Sequence, residues 1–301
     1  MKKEKIILCF VIIGIILALS VFAKLRAIIY AASVVLLVMT YFKLIKISDQ
    51  FQNFKSILIA AGIVGLAFAM ILPNTSKDVF FYMGSGRAFD RYDINPYTTS
   101  IAEIDDVEAS DYIIKAVGNQ SVYTFVYGPI FLTICGLLSK ISFSSLLVFL
   151  YEFKILNLIA YLITVYLVYL LTKKKKLTIA YAFNPLVLLE VLVNVHNDIF
   201  VLLFAFLGIF FIKEAERCRE NFGKSELTFF CGLICLVLSA CVKYVAIIIL
   251  PFVILYRLRN EKIWKKIILG MVYLLVFFGM FGVMYMPYFY NPLNCFTGAI
   301  A

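Results

Sequence analysis

Charge is scarce in this chain. Asp, Glu, Lys and Arg make up only 15% of 301 residues, against 63% hydrophobic residues and a mean hydropathy of +0.98. That balance excludes an ordinary soluble domain. The apolar runs lack the strict alternation of a β-barrel. No basic stretch is interleaved with aromatics in a polar segment, so nucleic acid is not an expected partner. The seven cysteines are scattered, mostly inside apolar segments. Cys231 and Cys235 share a helix face but lack a second pair or a nearby histidine, so cysteine reads as a small hydrophobe and no metal site is assigned. Internal repeats are missing too. The Asn-Pro pairs at Asn95, Asn184 and Asn291 have no surroundings in common.

What the chain does have is a succession of apolar runs long enough to cross a hydrocarbon core. Helices are expected at about 6–23, 27–42, 56–72, 143–171, 177–194, 198–212 and 267–286. The run 227–256 is too long for one span and is interrupted by Lys243, so it divides into two short helices with Lys243-Tyr244 at the turn. Pro185 predicts a kink within 177–194. The run 6–23 follows Met1–Lys5, and Val21-Phe22-Ala23 is loosely cleavable; its length and the apolar run behind it favour an uncleaved first helix.

The net charge of +10 reports topology. Most of the 28 basic residues fall in five short stretches, 1–5, 43–55, 173–176, 213–226 and 257–266. The stretch 73–122 holds only Lys77, Arg87, Arg91 and Lys115 against eight acids. Basic loops mark the cytoplasmic side, so the N-terminus is expected inside and the 73–122 loop outside. Weak helical stretches near 79–89 and 102–116 suit elements lying on the membrane surface. The run 127–138 is short, and if it crossed, four lysines at 173–176 would lie outside; it therefore reads as a re-entrant or surface helix. The expected fold is an all-α polytopic membrane protein of about nine transmembrane helices. It forms one transmembrane domain over 1–301, with the outer loop, about 73–125, inserted in it.

This topology, set by lysines, collects the polar oddities on one face. Asp78 lies just past an apolar helix, at the start of the polar stretch, where a carboxylate can serve as a base at the lipid–water boundary. Gly84-Ser85-Gly86-Arg87 follows; its glycines permit close backbone approach, and Arg87 suits a phosphate. His196, the only histidine, sits with Asn197 and Asp198 between two helices. Lys243 suits either a snorkelling turn residue or a cation for a lipid-linked phosphate. Glu152, Lys154 and Glu190 lie within apolar segments and can pair between helices, for instance Lys154 with Glu190.

Taken in order, Asp78, Tyr82, Gly86-Arg87, Asn95-Pro96-Tyr97, Tyr127-Gly128-Pro129, Asn184-Pro185-Leu186, Glu190, Asn194, His196-Asn197-Asp198 and Val242-Lys243 before Pro251 resemble a known family. The resemblance is to the polyprenol-phosphate-sugar-dependent glycosyltransferases of the GT-C superfamily, nearest the bacterial mannosyltransferase-like branch. It spans about 56–295. It implies a GT-C-like bundle in the cell membrane with Asp78 as catalytic base in the first large outer loop. Arg87, Lys243 and Tyr82 would hold the donor phosphate; His196, Asn197, Asp198 and Tyr127 would orient substrate. The implied reaction moves a hexose, by default mannose, from a polyprenyl-phosphate sugar to an extracytoplasmic glycolipid or cell-wall glycan, with inversion. A divalent cation fits that chemistry without being demanded by any ligand spacing. Two helices precede the Asp-bearing loop where the simplest members have one. The chain also stops before the further helices of typical members, which reads as a fragment or a truncated reading frame. The rival classes are a transporter or lipid flippase, disfavoured by the missing repeat, and a non-catalytic membrane scaffold.

Overall fold

The computed structural model describes residues 2–20, 26–104 and 111–288. Within them every regular element is helical. In chain order these are α1 (Lys2–Ser20), α2 (Arg26–Lys46), α3 (Phe54–Ala69), α4 (Asp78–Arg91), α5 (Tyr112–Lys115), α6 (Pro129–Ile141), α7 (Leu146–Thr172) and α8 (Lys175–Ala182). A π-helical segment, Val187–Val193, follows. Then come α9 (Asp198–Arg217), α10 (Phe222–Ala240), a 3-10 segment Tyr244–Ile249, α11 (Leu250–Leu258) and α12 (Ile263–Tyr285). The close of the expected 6–23 helix, with Val21-Phe22-Ala23, the middle of 102–116 and the Asn291-Pro292 pair lie outside the described residues.

Local chemistry sets the boundaries. The Asn53 side chain accepts a 3.0 Å bond from the Ser56 amide and starts α3. Asn221 does the same for α10 through Lys224. Pro129 occupies the first turn of α6, where its missing N–H is not needed. Pro185 falls between α8 and the π-helical segment, and the two pieces meet at 52°. Lys243 stands in extended conformation between α10 and the 3-10 segment, so 227–256 does divide there.

Four helices, α2, α7, α10 and α12 extended to Tyr288, are long and apolar enough to cross a membrane; α8 with the π segment makes a fifth if counted as one bent span. Fewer elements pass than the nine expected, for physical reasons. The 16 residues of α3 reach only about 24 Å. The described part of α1 begins Lys2-Lys3-Glu4-Lys5, and α9 ends Lys213-Glu214-Ala215-Glu216-Arg217. Apolar side chains still point outward all along α12; Leu275 is 75% and Ile267 57% exposed, a face suited to lipid.

The chain divides into two compact units. The first comprises Met1–Val79 and Leu150–Ile199. In it α1 packs on α2 and α3, and α3 packs on α8 and the π segment. Phe10 and Phe183 meet with ring centroids 5.5 Å apart in its core. The second comprises Phe80–Phe149 and Phe200–Ala301. Here α10 packs on α12 and on the 3-10 segment. Two of the basic stretches meet in this unit. Arg257 lies 3.3 Å from Glu216, donates to Ser225 Oγ at 3.0 Å and pairs with Glu226, while Arg259 reaches Glu216 at 2.7 Å.

Candidate functional site

Two pieces of chain far apart in sequence meet in the first unit. Asp78 opens α4, and Ser76 Oγ accepts its backbone N–H at 3.1 Å. His196 stands in the short turn between the π segment and α9. Its Nδ1 is 3.6 Å from Asp78 Oδ2, and its Nε2 is 3.1 Å from Glu190 Oε2. The imidazole is thus held between two carboxylates. All three side chains stay partly exposed, at 22%, 28% and 38% for His196, Asp78 and Glu190, so a reactant can reach them.

The turn itself is fixed from several sides. Val195 adopts a left-handed φ of 63°, costly for a β-branched residue and sustained only by its surroundings. The His196 amide bonds Glu190 O at 2.9 Å. Asn194, fully buried, accepts from the amides of Asn74 and Thr75 at 3.3 Å each and donates to Thr75 Oγ1 and to Glu190 Oε2, the latter at 3.2 Å. One amide side chain therefore ties the approach to Asp78 to the carboxylate that grips His196.

Helix α7 supports the same turn from below. Asn157 donates to Val191 O at 2.9 Å and His196 O at 3.2 Å. Lys154, one turn earlier, donates to Ile71 O at 2.6 Å, Leu192 O at 3.1 Å and Val193 O at 3.0 Å. The expected Lys154–Glu190 pair is therefore not formed. The reason is local: carbonyls left without partners at the ends of α3 and the π segment are the nearer acceptors, and they carry the negative end of each helix.

Other expected site residues lie in the second unit. Gly128 N–H bonds Val242 O at 3.0 Å and Ile130 N–H bonds Cys241 O at 3.1 Å. These bonds join the Tyr127-Gly128-Pro129 and Val242-Lys243 motifs and set Lys243 Nζ 6.0 Å from the Tyr127 ring centroid, a cation–π distance. A Cβ at Gly128 would stand 2.0 Å from Cys241 O, so only glycine fits. Tyr82 is fully buried, edge-on to Tyr127 at 5.2 Å, with the two hydroxyls 3.5 Å apart.

Arg87 is also buried, with Nε 2.7 Å from Asp111 Oδ2 and an NH2 group 2.7 Å from Ser144 Oγ. Burial raises the Asp111 carboxyl, but bonds from Arg87, the Ile113 amide and Tyr92 outweigh it and hold Asp111 below the usual carboxylate range. Gly86 lies where a Cβ would come 2.5 Å from Cys135 O, so that glycine serves helix packing.

The His196-Asn197-Asp198 trio divides. His196 joins Asp78; Asn197 is buried at 1% exposure with neither amide atom bonded among the described residues; Asp198 opens α9, where a carboxylate suits the helix N-terminus. Glu190 and Asn194 are the members not assigned to the site from sequence. Both stand in the motif order that resembles the family, and their i, i+4 spacing sets them on one helical face ahead of His196. Among the described residues no group of three or more His, Cys, Asp or Glu is arranged to hold a metal ion. Asp78 and Glu190 lie on opposite ring nitrogens and do not converge on a common point.

An all-helical protein with apolar helices of membrane length and a carboxylate–imidazole–carboxylate cluster has the make-up of a membrane enzyme. The family described as alpha-(1->6)-mannopyranosyltransferase, N-terminal domain, matches residues 5–259. The chain belongs to that family, a mannosyltransferase family of GT-C type. No curated protein and no solved structure matches it.

Proposed function

We propose that this protein transfers mannose from a polyprenyl-phosphate donor to a hydroxyl of an extracytoplasmic glycolipid or cell-wall glycan, with Asp78 as general base. The observation that carries the reading is the His196 imidazole held 3.6 Å from Asp78 and 3.1 Å from Glu190. A base must be reachable and close to a polar partner, and Asp78 is partly exposed and lies beside the His196 ring. Family membership favours the enzyme over the transporter.

In the reaction, Asp78 takes the proton of the acceptor hydroxyl. The hydroxyl oxygen bonds the anomeric carbon as the bond from that carbon to the phosphate oxygen breaks, and polyprenyl phosphate leaves with the electron pair. Configuration inverts, so the α-linkage in the family's description calls for a β-linked donor. Positive charge at the leaving phosphate stabilises the transition state; Lys243, backed by Tyr127, is assigned that role. Tyr82 and Arg87 act as buried supports of their own surroundings. Asn197 and Asp198 orient substrate beside His196. A divalent cation can share the phosphate, and titration of membranes with a chelator reads that out.

The same reading has nine spans, counting the short or charge-ended α1, α3, α9 and the segment 244–258. The N-terminus lies in the cytoplasm and Asp78 outside. Support comes from the ion-paired meeting of the 213–226 and 257–266 stretches, both assigned to the cytoplasmic side. The test is transfer of labelled mannose from polyprenyl-phosphate mannose in membranes holding equal amounts of wild type and Asp78→Asn. A general base contributes on the order of 100- to 10,000-fold, so the variant should insert normally and lose transfer by about that factor. Full activity in Asp78→Asn would eliminate Asp78 as the base.

A further inference from the structure

A polar cavity belongs to no step of that reaction. It lies in the second unit, where the C-terminal ends of α4 and α6 meet the turn entering α7, and has a volume of about 360 Å³. Arg87, Arg91 and Lys140 line it together with Asp90, Ser139 and Ser144. Ser144 Oγ accepts from Arg87 at 2.7 Å and from Arg91 at 2.9 Å. Its own hydrogen has no acceptor among the described residues and remains a donor.

Ser139 belongs to the wall of the same cavity, and its buried Oγ has no partner among the described residues. Lys140 faces Asp90 at 3.5 Å and stays 66% exposed, while Arg91 has no carboxylate partner among the described residues. Counting Asp90 and Asp111 against three cations leaves one positive charge in excess. The turn is strained: Phe143 and Ser144 both take left-handed φ, 51° and 59°. It leaves Phe143, which also lines the cavity, 88% exposed, a position suited to a side chain in lipid.

We propose that this cavity is a binding site for a phosphate group, held by Arg91, Lys140 and the hydroxyls of Ser139 and Ser144, and presented by an anionic phospholipid beside Phe143. Guanidinium and hydroxyl donors converging on a net positive cavity match a phosphodiester. The competing account is that Arg91 and Lys140 merely complement the negative ends of α4 and α6. That account explains neither the orphan Ser139 hydroxyl nor the strained turn, and it predicts no ligand.

Two probes decide. Purified protein is washed in detergent micelles containing phosphatidylglycerol or phosphatidylcholine, and retained lipid is counted by mass spectrometry. Separately, thermal stability is followed on adding inorganic phosphate. Wild type should retain phosphatidylglycerol in preference to phosphatidylcholine, and R91Q/K140Q should lose about fivefold or more of that retention. A stabilisation by inorganic phosphate that vanishes in the double variant identifies free phosphate as the source of the same chemistry. Should the double variant fail to fold, S139A alone, which removes only an unpartnered hydroxyl, should still weaken either signal. Neither signal in wild type, or either one surviving unchanged in the variants, overturns the proposal. The outcome is independent of mannosyl transfer, so failure here leaves the catalytic reading standing, and the reverse.

Discussion

His196 Nδ1 lies 3.6 Å from Asp78 Oδ2, although well over a hundred residues separate the two in sequence. With Glu190 on the other ring nitrogen, the imidazole's position is set by one carboxylate while it sets the position of the other. Groups linked this way do not contribute independently. His196→Gln and Glu190→Gln should each reduce transfer by about 10- to 100-fold, and the double variant should lose little more than His196→Gln alone. Initial rates in membranes at matched expression measure this. Losses that multiply would show the two side chains acting separately.

Much of this arrangement is legible in the sequence as parts, and little of it as a whole. Asp78 and His196 stand out because polar residues at the ends of apolar runs are rare. The kink at Pro185 and the break at Lys243 follow from a missing N–H and a charge. Glu190 is harder: it stands in the family-like motif order, but charge complementarity matches it with Lys154. The true acceptors of Lys154 are backbone carbonyls, which every residue carries and no sequence distinguishes. The docking of Tyr127 beside Lys243 runs through Gly128 N–H and Val242 O, also backbone, and was hidden for the same reason.

Those three carbonyls make Lys154 a structural cation. Lys154→Met keeps the aliphatic length but leaves Ile71, Leu192 and Val193 without their donor, at 1% exposure of the original side chain. A cost of roughly 3 kcal/mol is expected. It should appear as a lower midpoint of thermal unfolding in detergent, with reduced transfer because the same segment carries the His196 turn. Lys154→Arg should not restore either, since a planar fork cannot aim at three carbonyls around a single point. A wild-type midpoint in Lys154→Met would remove the lysine from the support of the site.

Acid should act on the segment between α4 and α6 through Asp111. Its folded carboxyl is held below the usual range, so the unfolded chain takes up the proton first as pH falls. The stabilisation is complete above the ordinary value of about 3.9 and is lost as pH drops below it through the depressed folded value. Asp111→Asn should therefore be less stable than wild type at pH near 7, where buried Arg87 loses its counter-ion, and the gap should close at low pH. Unfolding midpoints of the two proteins across that range supply the test. A gap that widens on acidification would contradict the assignment.

Gly128 offers the sharpest contrast between two substitutions of one kind. A methyl group there would sit 2.0 Å from Cys241 O, so the backbone must separate and the Gly128–Val242 and Ile130–Cys241 bonds must lengthen or break. The side chain moved by that separation is Tyr127, whose ring faces Lys243. At Gly62, inside α3, an added Cβ meets nothing within 4 Å, and alanine is the better helix former by up to about 1 kcal/mol. Gly128→Ala should therefore lower the unfolding midpoint and cut transfer at least about tenfold if Lys243 is the cation for the leaving phosphate. Gly62→Ala should leave transfer unchanged and the midpoint equal or higher. If Gly128→Ala unfolds early but transfers normally per folded molecule, the Tyr127–Lys243 contact is a packing device and the phosphate's counter-charge must come from elsewhere in the chain.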